Sequence, residues 1–161
     1  MLNSSESHQI KNQFNSIKII YYALVSGLIV FSAVTLFVIQ SRIEEQASNL
    51  DSIFIVAVPI FGLVMMFVSY KLYNQMIINL SRDSDLSQKI EYYRKAKIVS
   101  WALVEAGCLF ALVATILTVN YLYIGVFILL FGYFIMMRPS VESFIQEMRL
   151  NSKESALIRG K

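Results

Sequence analysis

The chain has little with which to do covalent or metal chemistry. Its 161 residues include one cysteine and one histidine. Cys108 has no partner for an internal disulfide, and the Cys-x-x-Cys pairs of redox relays are absent. His8 builds no metal site without several carboxylates beside it, and it sits in a polar leader, too far from any apolar run to serve a serine nucleophile inside a membrane. Charge is scarce too: 16% of residues are charged and 57% hydrophobic, with a mean hydropathy of +0.59. A soluble domain is about half apolar and about a quarter charged, and a disordered chain is less apolar still. Both classes are excluded. A small, single-domain integral membrane protein remains.

What the sequence does have is apolar length. A helix needs about 20 residues to cross the hydrocarbon core, within a range of about 17–25. Four stretches meet or approach that length, at about 19–39, 53–70, 98–119 and 121–137. They divide the chain into a polar leader, 1–16, a four-span body, 17–138, with a polar segment at 71–97, and a tail, 139–161. The first apolar run is longer than the core of about 7–15 residues found in a signal peptide, and no small-residue cleavage site follows it, so it is expected to stay in the mature protein. Little more than Asn120 separates the last two spans, which predicts a tight antiparallel hairpin. Pro59 is expected to bend the second span, because its missing N–H leaves a carbonyl one turn back without its usual donor.

Positive residues set the orientation, since short cytoplasmic loops hold the excess of Lys and Arg. Lys11 and Lys18 precede the first span. Lys71, Arg82, Lys89, Arg94, Lys95 and Lys97 lie between the second and third, and Arg138, Arg149, Lys153, Arg159 and Lys161 follow the fourth. The first loop has Arg42 alone against Glu44, Glu45 and Asp51, and the last loop has no charge. Both termini and the central segment are therefore expected in the cytoplasm. Tyr21, Tyr22, Tyr70, Tyr73, Tyr92, Tyr93 and Trp101 on that side, and Tyr121 and Tyr123 on the other, read as interfacial anchors, with a dry ring and a wet polar tip.

Sliding the chain by 79 positions aligns residues 18–31 with 97–110 at six of fourteen identical positions, and the second halves share a pattern of their own, Phe61-Gly62 followed by Met65-Met66 against Phe131-Gly132 followed by Met136-Met137. This suggests duplication of a two-span hairpin. Such copies run parallel, related by an axis along the membrane normal. The expected fold class is therefore all-α, an integral membrane four-helix bundle built from two tandem parallel-repeat hairpins. Small residues mark places where helices can approach closely: Ala23 with Gly27, Ala102 with Ala106, Gly107 with Ala111, and Gly125 with Gly132.

Two cytoplasmic extensions are predicted. Residues 71–80 keep apolar residues at helical spacing beyond the second span, residues 81–85 supply turn and cap side chains, and a new helix then leads into the third span. In the tail, Pro139 stops the fourth span and Ser140 is placed to cap a helix with Val141, Phe144, Ile145 and Met148 on one face. That amphipathic helix packs on its own bundle, lies on the membrane or docks a partner.

Glu105 is the one ionisable side chain well inside a span, about 12 Å beyond Lys97 at 1.5 Å per residue. A charge at the bilayer centre costs roughly 2.5–3.5 kcal/mol, so a compensating partner or a proton is required. Lys97, Trp101 and Glu105 recur at steps of four, which lets the indole N–H donate to the carboxyl. The aligned positions in the first span are Lys18, Tyr22 and Ser26, and Ser26 is a second candidate partner. Glu105, Trp101 and Ser26 thus form a candidate proton or cation site, or else neutral glue between helices. Lys18, Lys97 and Arg138 form a basic rim at the membrane interface, where anionic lipids attract them. No catalytic constellation, metal set or cofactor motif is present, and the excess of positive charge is accounted for by the membrane without nucleic acid.

The third span, its tyrosine-rich lead-in and the Arg138-Pro139 junction before an amphipathic tail resemble a family of small four-helix bacterial membrane proteins of unassigned function. The resemblance covers about 92–150 and implies a bacterial inner membrane, without supplying an activity. Four spans with one membrane glutamate are also similar to small multidrug-resistance exporters, but here the glutamate lies in the third span and the cytoplasmic loop is long. Two functions follow. One is a non-enzymatic accessory, scaffold or assembly protein, held in a homo-oligomer or against a larger membrane partner. The other is a small proton-coupled transporter or channel using Glu105.

Overall fold

A computed structural model describes residues 4–41, 51–78, 86–150, 155 and 158, with side chains described from residue 12 onward. All the regular structure in them is helical: α1 (Ser4–Gln40), α2 (Asp51–Ile78), α3 (Leu86–Thr118), α4 (Leu122–Met136) and α5 (Val141–Glu147). Three helices are long and apolar enough to cross a membrane, Asn12–Gln40, Asp51–Ile78 and Leu86–Thr118, and there are four if the bent pair α4–α5 is counted as one span. α2 passes through Pro59 as one helix and, as the spacing of apolar residues predicts, continues beyond residue 70. The expected turn and cap at 81–85 lie outside the described residues, as do most of the first loop and most of the tail beyond 150.

α3 is the centre of the fold. It packs against α1, α2 and α4, and α2 also touches α4. Long-range hydrogen bonds give the directions. Ser69, late in α2, meets Ser100, early in α3, while Asp51 at the start of α2 meets Asn120 just beyond the end of α3. Trp101 reaches Met137 at the end of α4, and Tyr21 in α1 packs on both Trp101 and Phe134. Phe14, earlier in α1, and Tyr93, earlier in α3, meet the same Phe144 ring, so α1 runs the same way as α3 and neighbours in sequence are antiparallel.

The turn between α3 and α4 is as short as expected. Val119 adopts a left-handed conformation (φ 53°) that ends α3, and its N–H donates to Thr115 O at 2.9 Å. The Asn120 side chain then accepts from Leu122 N at 2.9 Å and starts α4. At the other end of α4 the chain bends by 75° through Arg138-Pro139, and the Ser140 hydroxyl accepts from Ser143 N at 3.0 Å to cap α5.

Closest approach falls on one of the small-residue pairs read from sequence. Gly107 and Ala111 are buried, and an added Cβ on Gly107 would stand 3.6 Å from the Gly62 backbone of α2 and 3.4 Å from Leu130 of α4. Ala23 and Gly27 instead lie on an exposed face of α1, and Gly27, Gly125 and Gly132 have no neighbour within 4 Å of an added Cβ. The outside of the molecule is apolar: Phe37, Leu129 and Met136 are 75%, 77% and 81% exposed. Among the described residues nothing covers them.

Candidate functional site

Glu105 stands half-buried on α3, one turn before the buried Cys108, and among the described residues it has no hydrogen bond or ion pair. The partners expected for it are engaged elsewhere. The Trp101 indole N–H donates to Met137 O at 3.2 Å, and the Ser26 hydroxyl turns back to Tyr22 O at 2.7 Å on an exposed face of α1. Each has its own physical reason. For Trp101 the reason lies at the end of α4, where the turn at Arg138-Pro139 removes the donors of a continued helix: Phe134 O and Ile135 O keep backbone donors, Met137 N and Arg138 N at 3.1 and 3.3 Å, while Met137 O takes a side-chain one. Trp101 takes Met137 O, and Tyr21 donates to Phe134 O and Ile135 O at 3.3 and 3.1 Å. Ser26 has its own helix carbonyl within reach and needs nothing more.

The proposed internal repeat meets a contrast here. Aligned positions sit in different surroundings: Trp101 is fully buried while Tyr22 is 63% exposed. Tyr21, one position earlier, fills the space against Trp101 with ring centroids 5.1 Å apart.

The densest polar cluster lies at the end of the molecule where α4 turns into α5. Lys97, expected on the basic rim, is buried instead. Its Nζ lies 4.3 Å from the Tyr73 ring centroid, 5.2 Å from that of Tyr93 and 3.6 Å from Glu147 Oε1. Tyr73 donates to the other Glu147 oxygen. Phe144 of α5 packs edge-on against Tyr93 at 4.9 Å and against Phe14 of α1 at 5.9 Å. The amphipathic face read from the tail is therefore turned inward, with Phe144 and Met148 buried. Removing an ammonium from water is costly, and two aromatic faces with one carboxylate offset that cost. Glu147 and Tyr73 were not singled out as site residues from sequence. The available signal was only an acid three residues after Phe144, beside the apolar stripe of the tail.

A second cluster closes the opposite end. Asn120 donates to both Asp51 carboxylate oxygens at 3.0 and 3.1 Å, and the buried Tyr123 hydroxyl donates to Asp51 Oδ1 at 2.6 Å. Tyr123, Tyr21, Tyr93 and Trp101 thus hold helices together instead of facing lipid, while Tyr22, Tyr70, Tyr92 and Tyr121 remain exposed in the manner of interfacial anchors. Lys18 is half-buried and Arg138 exposed. Among the described residues no three His, Cys, Asp or Glu side chains gather in a way that would hold a metal ion. No family model, curated protein or solved structure matches the chain.

Proposed function

We propose that the chain crosses a bacterial inner membrane four times as a four-helix bundle, with both termini and the 71–97 segment in the cytoplasm. Its role is that of a non-enzymatic accessory, scaffold or assembly protein in a larger membrane complex. The observation that carries this reading is uneven coverage. α3 has neighbours on three sides, whereas α1 and α2 carry rows of large apolar side chains, Ile29, Val30, Val34 and Phe37 on one and Ile53, Ile60, Leu63 and Phe67 on the other, that no described residue covers. In oil such faces carry no penalty and stay open to a partner helix. The basic composition of the helix ends fits the cytoplasmic placement, and the shared direction of α1 and α3 fits duplication of a hairpin.

Gentle detergent extraction followed by size measurement and mass spectrometry tests the role. A stable partner or a homo-oligomer is expected, and a lone monomer overturns it. Glu105 favours a second reading, a small proton-coupled transporter or channel, because this half-buried carboxylate has no protein partner among the described residues. Proton or organic-cation flux into liposomes that is lost in Glu105→Gln would support that reading. Unchanged flux would reject it.

A further inference from the structure

The cations near the helix ends divide into those with a protein partner and those without. Lys97 is enclosed by Tyr73, Tyr93 and Glu147, and Lys95 pairs with Glu91 at 2.7 Å. Lys18 and Arg138 have no carboxylate partner among the described residues, and Glu142 in the first turn of α5 pairs with neither. Both flank Tyr21. The Tyr21 hydroxyl and the Arg138 backbone N–H donate to the same acceptor, Ile135 O, at 3.1 and 3.3 Å. Lys18 lies three residues before Tyr21 on α1, with its Nζ 5.3 Å from the centroid of Phe14, the ring that receives Phe144 of α5. Two cations without a carboxylate partner among the described residues therefore lie to either side of Tyr21, where α1 passes the end of α4 and the chain turns into α5.

The surface next to that corner is apolar and open. Ile19, Tyr22, Ile135 and Met136 are all exposed, and the Tyr22 ring meets Tyr21 edge-on at 5.5 Å. A forked guanidinium suits two oxygens of one phosphate, an ammonium adds a point charge, and the neighbouring aliphatic and aromatic surface suits an acyl chain. Charge and apolar surface in this order match an anionic phospholipid, phosphate outward and chain inward, better than a protein helix.

We propose that Lys18 and Arg138 form a site for the headgroup phosphate of an anionic phospholipid whose acyl chain lies along the seam between α1 and α4. The site rests on the membrane reading above. Recovery of the chain without detergent would sink that reading, and the lipid site with it, before any lipid is added.

The test uses the full chain, purified in mild detergent and stripped of lipid, with native mass spectrometry of retained phosphatidylglycerol against phosphatidylcholine. Wild type is expected to prefer the anionic lipid. Lys18→Gln with Arg138→Gln should lower that preference by about thirtyfold, or about 2 kcal/mol for two basic residues near the surface. Lys18→Arg with Arg138→Lys should keep most of it, which separates charge from misfolding. Lys71→Gln with Arg94→Gln, two exposed cations away from Tyr21, Arg94 being within electrostatic reach of Glu91, should change it little. The proposal is overturned if the first pair leaves the preference intact, if the Lys71 and Arg94 pair lowers it equally, or if inorganic phosphate at millimolar concentration displaces the lipid.

Discussion

α2 and α3 lie side by side and invert the order of a soluble protein. α3 carries Lys89, Glu91, Arg94, Lys95, Lys97 and Glu105, yet 50% of its most apolar stretch is buried. α2 has no charged residue between Asp51 and Lys71, yet only 17% of its most apolar stretch is buried. In water the more apolar helix would be driven inside, because burial there follows hydropathy. Hydrocarbon solvent removes that drive, and the inner helix is chosen by what can touch it: small residues that admit a neighbouring backbone, and polar groups with no other partner. Gly107 against Gly62, and Ser100 against Ser69, are those contacts.

The comparison breaks first at Trp101 if it is wrong. Trp101→Ala would open a cavity beside Tyr21 and leave Met137 O without its donor, at an expected loss of about 3–5 kcal/mol. Phe67→Ala on the exposed face of α2 should cost less than about 1 kcal/mol. Reversible unfolding in micelles measures both, and equal losses would mean that the outer face of α2 is covered or that α3 is not the core.

The tail helix sharpens the same contrast, because its polar contacts also fall on the inner helix. Glu147→Gln removes the carboxylate from a lysine whose side chain is 8% exposed, while Glu147 itself keeps 32% of its exposure. Water reaching Glu147 softens the penalty, so a loss of about 1–3 kcal/mol is expected, together with faster amide exchange along α5. Adding Lys97→Met should return part of that loss, since no charge is then left stranded. A double variant that falls below the single one would mean that Lys97 is held chiefly by the Tyr73 and Tyr93 rings. Gly107→Leu comes next, at about 1–3 kcal/mol, because its side chain would have to displace Leu130 and the Gly62 backbone. Gly27→Leu, with open space around its Cβ, should be nearly neutral by the same melt.

Helix positions were legible in the sequence because apolar length and caps are local properties. Ser140 marks a helix start that the structure places at 141, the short turn expected at Asn120 separates α3 from α4, and the continuation of α2 beyond residue 70 followed from spacing alone. Contacts that depend on which face turns inward were not legible. In α1 almost every face is apolar, so nothing in its pattern separates Tyr21, which is buried, from Tyr22, which is not. The Trp101 donor was assigned to Glu105 because step-of-four spacing is visible in sequence, whereas the competing demand of Met137 O arises only once Pro139 has turned the chain. Lys97 was placed at the surface for the same reason. Its partner Glu147 lies 50 residues away and comes within reach only when α5 folds back.

The smallest effect tests the physical premise most directly. Ser69 Oγ lies 2.9 Å from Ser100 O and 2.7 Å from Ser100 Oγ, fully buried between α2 and α3. If water were the alternative partner, removing a buried donor would cost about 1–3 kcal/mol through the acceptor left dry. In a membrane the separated helices keep their hydroxyls bonded to their own backbone, as Ser26 does to Tyr22 O and Thr115 to Ala111 O. The exchange is therefore nearly even, and Ser69→Ala should cost only about 0.6 kcal/mol. Ser100→Ala added to it should cost little more, because in the single variant the Ser100 hydroxyl is already free to turn back to the carbonyl four residues earlier. Melts of the two single variants and the double variant in micelles measure this cycle. A loss of several kcal/mol, or losses that add, would mean that the pair is holding α2 to α3 against water rather than within lipid.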